Sequence, residues 1–283
     1  MERIWPFQRG PSGLLSGAEP FTLGNGSAGC LLVHGFTSTP YDVHACGEYL
    51  AAQGIAVEGI LLAGHGTCPE DLAETRLTNW LQSIRDGYAR LAQRCDRVFG
   101  LGISLSGNFL LTLAPLLPFT GLILIGTPLK FRHERAYRAA YRVLRALGKQ
   151  YQKKWYLEHL DASIRSQRPT YDRFPLACVQ DCMTAIAWSK ENLPRIRCPI
   201  LILQSTTDHA VDERTITEFR TRLASTDITV HWFPNRYHVL VIDRGAEPVF
   251  HTIAHFIQTR ATESIPQRDV PLPFVQPVGS LAS

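Results

Sequence analysis

Apolar residues along the chain fall into short unbroken runs separated by stretches spaced three and four apart, the alternation expected of buried strands and amphipathic helices. The runs Cys30 to Val33, Ala56 to Leu62, Val98 to Leu101, Gly121 to Ile125, Ile200 to Leu203 and Thr229 to Phe233 read as strands. Between them, Tyr41 to Gln53, Asn79 to Arg94, Leu105 to Leu113, Glu213 to Leu223 and Glu247 to Thr259 carry helical spacing. This order predicts an α/β fold with a doubly wound, mostly parallel sheet.

The rhythm breaks once. From Lys130 to Lys154 the chain is basic and helical, with Arg135, Arg138, Arg142, Arg145 and Lys149 along one face and Ala139, Ala140, Val143, Leu144 and Leu147 on others. Continuing to about Arg173, this stretch reads as a helical cap inserted over the strand ends. Phe174 to Asn192 is a further amphipathic helix, after which strands resume at Ile200. The resulting organisation is a flexible lead-in over 1–18, a core over 19–128 and 174–260, the cap over 129–173, and a tail over 261–283. Gly, Pro and Ser dominate the lead-in, which gives way to a strand around Phe21 to Leu23. Pro266, Pro271, Pro273 and Pro277 bar the tail from helix or central strand, leaving it disordered or extended.

Composition narrows the class. At 283 residues, with 45% hydrophobic and 19% charged residues, the chain reads as a soluble globular protein whose core needs neither disulfides nor metals. A net charge of +4 makes no case for nucleic acid. The basic stripe reads as a solvated outer face of the cap, with weak contact to anionic lipid as the partner it suggests. Seven cysteines, odd in number and set among apolar neighbours, read as free thiols in a reducing cytoplasm. Cys178 and Cys182 lie one helical turn apart, but no His or Cys cluster nearby completes a metal site, so they read as core. The N-terminus lacks the apolar region of a secretory signal, and Pro115, Pro118 and Gly121 interrupt the most apolar stretch, Phe109 to Ile125. A cytoplasmic monomer or homodimer is the reading.

The chemistry centres on Gly102-Ile103-Ser104-Leu105-Ser106-Gly107, a turn between a buried strand and a helix. Such a turn lifts a serine hydroxyl toward a histidine on a neighbouring loop, which must take its proton before it can attack. It also presents the Leu105 N–H at a helix N-terminus as an oxyanion donor. The usual pattern has glycine where this chain has Ser106. A second donor is expected from the loop His34-Gly35-Phe36-Thr37, at the Phe36 N–H. His34 and His65, the latter in the loop Gly64-His65-Gly66, read as histidines that brace loops.

A base and an orienting acid should lie on loops after later strands. Asp208 follows the strand at Ile200, and His238 follows the strand at Thr229, roughly 30 residues on, in the order Ser, Asp, His. The rivals fit less well. His231 lies inside a strand, His251 and His255 lie in the last helix, and His209 adjoins the acid itself. Asp212 and Asp243 read as helix caps.

Together, LLVHGFTSTP, the GHG loop, GLGISLSG, the basic insertion, PILILQSTTD and YHVLVID resemble the bacterial carboxylesterase and monoacylglycerol lipase group of the α/β-hydrolase superfamily, over roughly Glu19 to Arg260. The resemblance implies an α/β-hydrolase fold with a small helical cap after the sixth strand. It implies a cytoplasmic serine esterase acting without a cofactor on short to medium acyl esters or monoacylglycerols. By position, Ser104 is then the nucleophile, His238 the general base, Asp208 the orienting acid, and Phe36 and Leu105 the oxyanion donors. A thioesterase, a carbon–carbon-bond hydrolase, an acyltransferase and a non-catalytic binding protein share the fold and remain alternatives.

Overall fold

The computed structural model describes residues 8–154, 166–234, 238–242 and 245–262. Seven strands form the main sheet: β1 (Phe21–Leu23), β2 (Ala28–Val33), β3 (Ala56–Ile60), β4 (Arg97–Ile103), β5 (Gly121–Ile125), β8 (Ile200–Ser205) and β9 (Ile228–Phe233). Their order is β1-β3-β2-β4-β5-β8-β9; only β1 runs antiparallel, against β3. All seven were legible as strands, within two residues at either end.

The described α-helices are α1 (Tyr41–Ala52), α2 (Pro69–Ala73), α3 (Leu77–Ala92), α4 (Leu105–Leu113), α5 (Glu134–Ala146), α6 (Val179–Asn192), α7 (Arg214–Arg222) and α8 (Glu247–Ala261). Unbroken apolar strands can be covered on both sides, because successive side chains point to opposite faces. Cys30 and Leu32 join a core with Val43 and Leu50 of α1 and Val249 and Ile253 of α8. Leu31 and Val33 join the opposite one, with Trp80 and Ile84 of α3, Phe109 of α4 and Ile186 of α6. Each such side chain contributes roughly 1.5–3 kcal/mol by leaving water.

The insertion leaves the sheet after β5, the fifth strand in chain order rather than the sixth, since β1 alone precedes β2 among the described residues. It is not wholly helical either. Strands β6 (Tyr151–Lys153) and β7 (Arg173–Pro175) pair antiparallel within it; residues 155–165 lie outside the described residues. Phe174 and Pro175, expected at the start of a helix, end β7 instead, because the residue before a proline is driven out of the helical region. No residue of α5 is buried, and Tyr137, Val143 and Leu147 are 47%, 57% and 68% exposed.

The lead-in departs from expectation from Gln8 onward. Leu15 and Ala18 are fully buried, and the Leu15 N–H donates to the Gly66 carbonyl at 2.7 Å, so two apolar residues fasten this segment to the GHG loop. Residues 1–7, the tail beyond Thr262, loop residues 235–237 and Asp243 lie outside the described residues. Among the described residues no helix is long and apolar enough to cross a membrane.

Register is what positions the site. Val33 pairs with Gly102, Ile103 with Ile125, and Ile125 with Leu203, so the loops after β2, β4, β5 and β8 leave the sheet at one common edge. That carboxyl edge is where doubly wound sheets hold their ligands.

Candidate active site

Ser104 sits between β4 and α4 with φ 55° and ψ −123°, a left-handed backbone that costs a non-glycine residue about 1–3 kcal/mol. Its N–H donates to the Ile125 carbonyl at 2.7 Å, and its own carbonyl accepts from the Gly107 N–H at 3.0 Å. The turn is tight. A Cβ on Gly102 would stand 2.6 Å from the Gly107 nitrogen and 2.7 Å from the Ser106 carbonyl carbon, so strand and helix meet backbone to backbone across residues 106 and 107. Ser106 is accommodated there with its buried hydroxyl donating to the His34 carbonyl, which joins the elbow helix to the loop after β2.

That loop is braced by both histidines. His34 Nε2 accepts the Leu62 N–H at 3.1 Å, and His65 Nε2 accepts the Thr37 N–H at 2.9 Å while its Nδ1 bonds the Ala63 carbonyl at 3.0 Å. Both rings must be neutral to accept in this way. The Ser38 N–H is also satisfied, by the Gly35 carbonyl at 3.0 Å. Phe36 and Leu105, by contrast, have backbone N–H groups without an acceptor among the described residues. Two unspent donors at the mouth of a strained serine turn are what an oxyanion requires.

Burial pulls the His34 pKa from 6.5 down to about 4, with smaller opposing help from the Gly35 carbonyl and Asp42, and burial followed by the His34 charge pulls His65 well down too. Protons then bind the unfolded chain more tightly than the folded one. The stability this provides is fully present above pH 6.5 and is lost as the pH falls toward 4; His34 alone accounts for about 3 kcal/mol of it. Urea unfolding midpoints should therefore drop between about pH 7 and pH 4.5. A level profile across that range would contradict this account.

Asp208 lies in the loop after β8, 5% exposed. Its Oδ1 accepts the N–H groups of Ala210 and Val211 at 2.8 and 3.1 Å, and its Oδ2 accepts Gln204 Nε2 at 2.9 Å and His238 Nδ1 at 2.8 Å. Burial alone would raise this carboxyl, but the His238 charge and hydrogen bond, with the two backbone donors, outweigh it and hold the pKa at about 2. Arg132 Nη2 also donates to the Asp208 carbonyl at 3.3 Å.

The His238 ring reaches the elbow through Gly126, which directly follows the Ile125 carbonyl that holds Ser104. A Cβ at Gly126 would lie 3.0 Å from His238 Cε1 and Nδ1, and its φ of 54° disfavours any L side chain. Gly126→Ala should shift the ring, lowering kcat about 10-fold or more and stability by about 1–2 kcal/mol. Kinetics beside thermal unfolding would check both. Ser104 and His238 thus flank β5, although no hydrogen bond joins them among the described residues; such contacts often tighten only with substrate bound.

Of the rivals, His231 stays on β9, and His251 and His255 stack on α8. The His209 ring lies 6.1 Å from that of His238. Asp212 accepts the Arg214 N–H and its guanidinium just ahead of α7. Gly126, Gln204 and Arg132 went unread in the sequence; the glycine after an apolar strand was a visible signal, whereas the other two had none. An open cavity of about 480 Å³ lies between the start of α5 and the loop after β8, bordered by Arg132, Tyr137, Thr207 and Asp208. Among the described residues no three His, Cys, Asp or Glu cluster as metal ligands, and burial pushes the Cys178 thiol up to about 12.

Sheet order, elbow and loop placement define an α/β-hydrolase. A family model described as Serine aminopeptidase, S33 matches residues 25–245, and the chain belongs to that family. It is 32% identical over 252 residues to a thermostable monoacylglycerol lipase of Bacillus sp. (strain H-257), covering 88% of this chain and 97% of that protein. It is 24% identical over 241 residues to a carboxylesterase of Bacillus subtilis (strain 168), covering 85% and 96%. Among solved structures, one of the metagenome-derived lipolytic enzymes LipS and LipT superposes with a TM-score of 0.78 at 28% identity, covering 87% of this chain and 99% of its own.

Proposed function

We propose that the protein is a serine hydrolase that cleaves carboxylic esters, short to medium acyl esters or monoacylglycerols, through an acyl-enzyme on Ser104. The observation that carries this reading is the convergence at one sheet edge of the strained Ser104 turn, two unspent N–H donors at Phe36 and Leu105, and a His238 ring held by an ionised Asp208. The relative named a monoacylglycerol lipase supports an ester as the substrate.

In the first half-reaction, Ser104 Oγ attacks the ester carbonyl as His238 Nε2 takes its proton, and the tetrahedral oxyanion accepts from Phe36 and Leu105. Collapse expels the alcohol, which leaves with the proton from His238. In the second, water gives its proton to His238, attacks the acyl-enzyme, and releases the acid as the proton returns to Ser104. Asp208 keeps its charge throughout and holds Nδ1 protonated, so that Nε2 is the base. Seven cysteines without a disulfide support a cytoplasmic location.

The test is hydrolysis of p-nitrophenyl esters from acetate to palmitate, a monoacylglycerol, an acyl thioester and an aminoacyl p-nitroanilide. An oxygen ester should give the highest kcat/KM, and the optimum in chain length would size the acyl pocket. Preference for the thioester or the anilide would overturn the ester assignment.

A further inference from the structure

Thr37, beside the proposed Phe36 donor, has φ 65° and so needs support from its surroundings. On one side His65 supplies it. On the other, the returning end of the insertion lies along the loop: the Thr170 hydroxyl and the Tyr171 N–H both donate to the Thr37 carbonyl, at 2.9 and 3.1 Å. The Thr39 hydroxyl donates to the Pro169 carbonyl at 2.9 Å. Arg168 clamps the whole with a fork on Asp42, Nε to Oδ1 at 2.7 Å and Nη2 to Oδ2 at 2.5 Å. The Ser38 hydroxyl donates to that same carboxylate. Both charged side chains are nearly sealed, at 6% and 0% exposure.

A buried ion pair is a poor way to gain stability, since stripping water from both charges offsets most of their attraction and an apolar pair of similar volume usually serves as well. What a bidentate fork does supply is a fixed distance and angle. Here it fixes residues 168–171 of the insertion against residues 37–42 of the core, one residue from an oxyanion donor.

We propose that Arg168 and Asp42 are positioning residues for the oxyanion hole: the ion pair locks the returning insertion onto the loop after β2 and thereby aims the Phe36 N–H at the transition state. The inference rests on the functional reading above. The insertion then acts on catalysis itself, besides whatever it does to admit substrate.

Three variants test it: Arg168→Lys, which keeps the charge and loses the fork, Asp42→Asn, and the apolar pair Arg168→Met/Asp42→Leu. Each is measured for kcat and KM on a short soluble ester, for Ki with an acyl trifluoromethyl ketone, whose serine adduct carries an oxyanion, and for Tm. Arg168→Lys should lower kcat about 10-fold or more with KM within about twofold, and the ketone Ki should rise by the same factor as kcat/KM falls. In the apolar pair Tm should return toward the native value while kcat and Ki stay impaired. Native kcat and ketone Ki in a folded apolar pair, or kcat losses without any change in ketone Ki, would overturn the proposal. Should the native enzyme itself resist the ketone, the serine-hydrolase reading fails first; native inhibition with unaffected variants sinks the positioning role alone.

Discussion

Ser104→Ala and Ser104→Gly should both lower ester kcat/KM by about 10⁴-fold or more, because the acyl group then has no nucleophile to join. The two should differ in stability. Alanine keeps a Cβ at φ 55° and so keeps the strain of the turn, whereas glycine adopts that backbone without steric cost. Relief of about 1–3 kcal/mol of strain is partly offset by the larger entropy glycine gives the unfolded chain, about 0.4–1 kcal/mol. The glycine variant should therefore be the more stable by about 1 kcal/mol, read from unfolding curves of the two inactive proteins. Retained turnover in either would end the assignment of Ser104, and an alanine variant as stable as the glycine one would mean that the elbow stores no strain.

Asp208→Asn should cost about 10³–10⁴ in kcat with little loss of structure, and the hydrogen bonds show why. The Oδ1 position takes two backbone N–H groups, from Ala210 and Val211, so it must be occupied by an acceptor. An asparagine would place its amide oxygen there and turn its NH₂ toward His238 Nδ1. Nδ1 would then have to accept, the ring proton would move to Nε2, and the nitrogen facing Ser104 would have no lone pair for its proton. Gln204 Nε2, which now donates to Oδ2, would also meet a donor. Steady-state kinetics with a melting curve checks this, and an asparagine variant with native kcat would exclude the orienting role.

Much of this was written locally. The unbroken runs CLLV and ILIL could be little other than buried strands, and the glycine-flanked turn at Ser104 announced itself, as did Asp208 and His238 in loops after strands. Local signals were also where the reading slipped. Pro175 should have halted the helix assigned from Phe174, and Leu15 and Ala18 were apolar residues too valuable to leave in a loose lead-in.

The sequence by itself determined the elements, their alternation, and which residue types stand at the ends of strands, because hydrophobic spacing and turn chemistry act over a few neighbouring residues. Only the tertiary structure decided that Val33 lies beside Gly102, which brings the Phe36 and Leu105 amides to one edge. The same holds for the contacts that finish the site: the Ser106 hydroxyl on the His34 carbonyl, the His238 ring against Gly126, and the Arg168 fork on Asp42. Each joins residues far apart in the chain, 126 positions in the last case. Such pairs leave no periodicity or composition to read, since they are set by strand register and by how the insertion returns across the sheet.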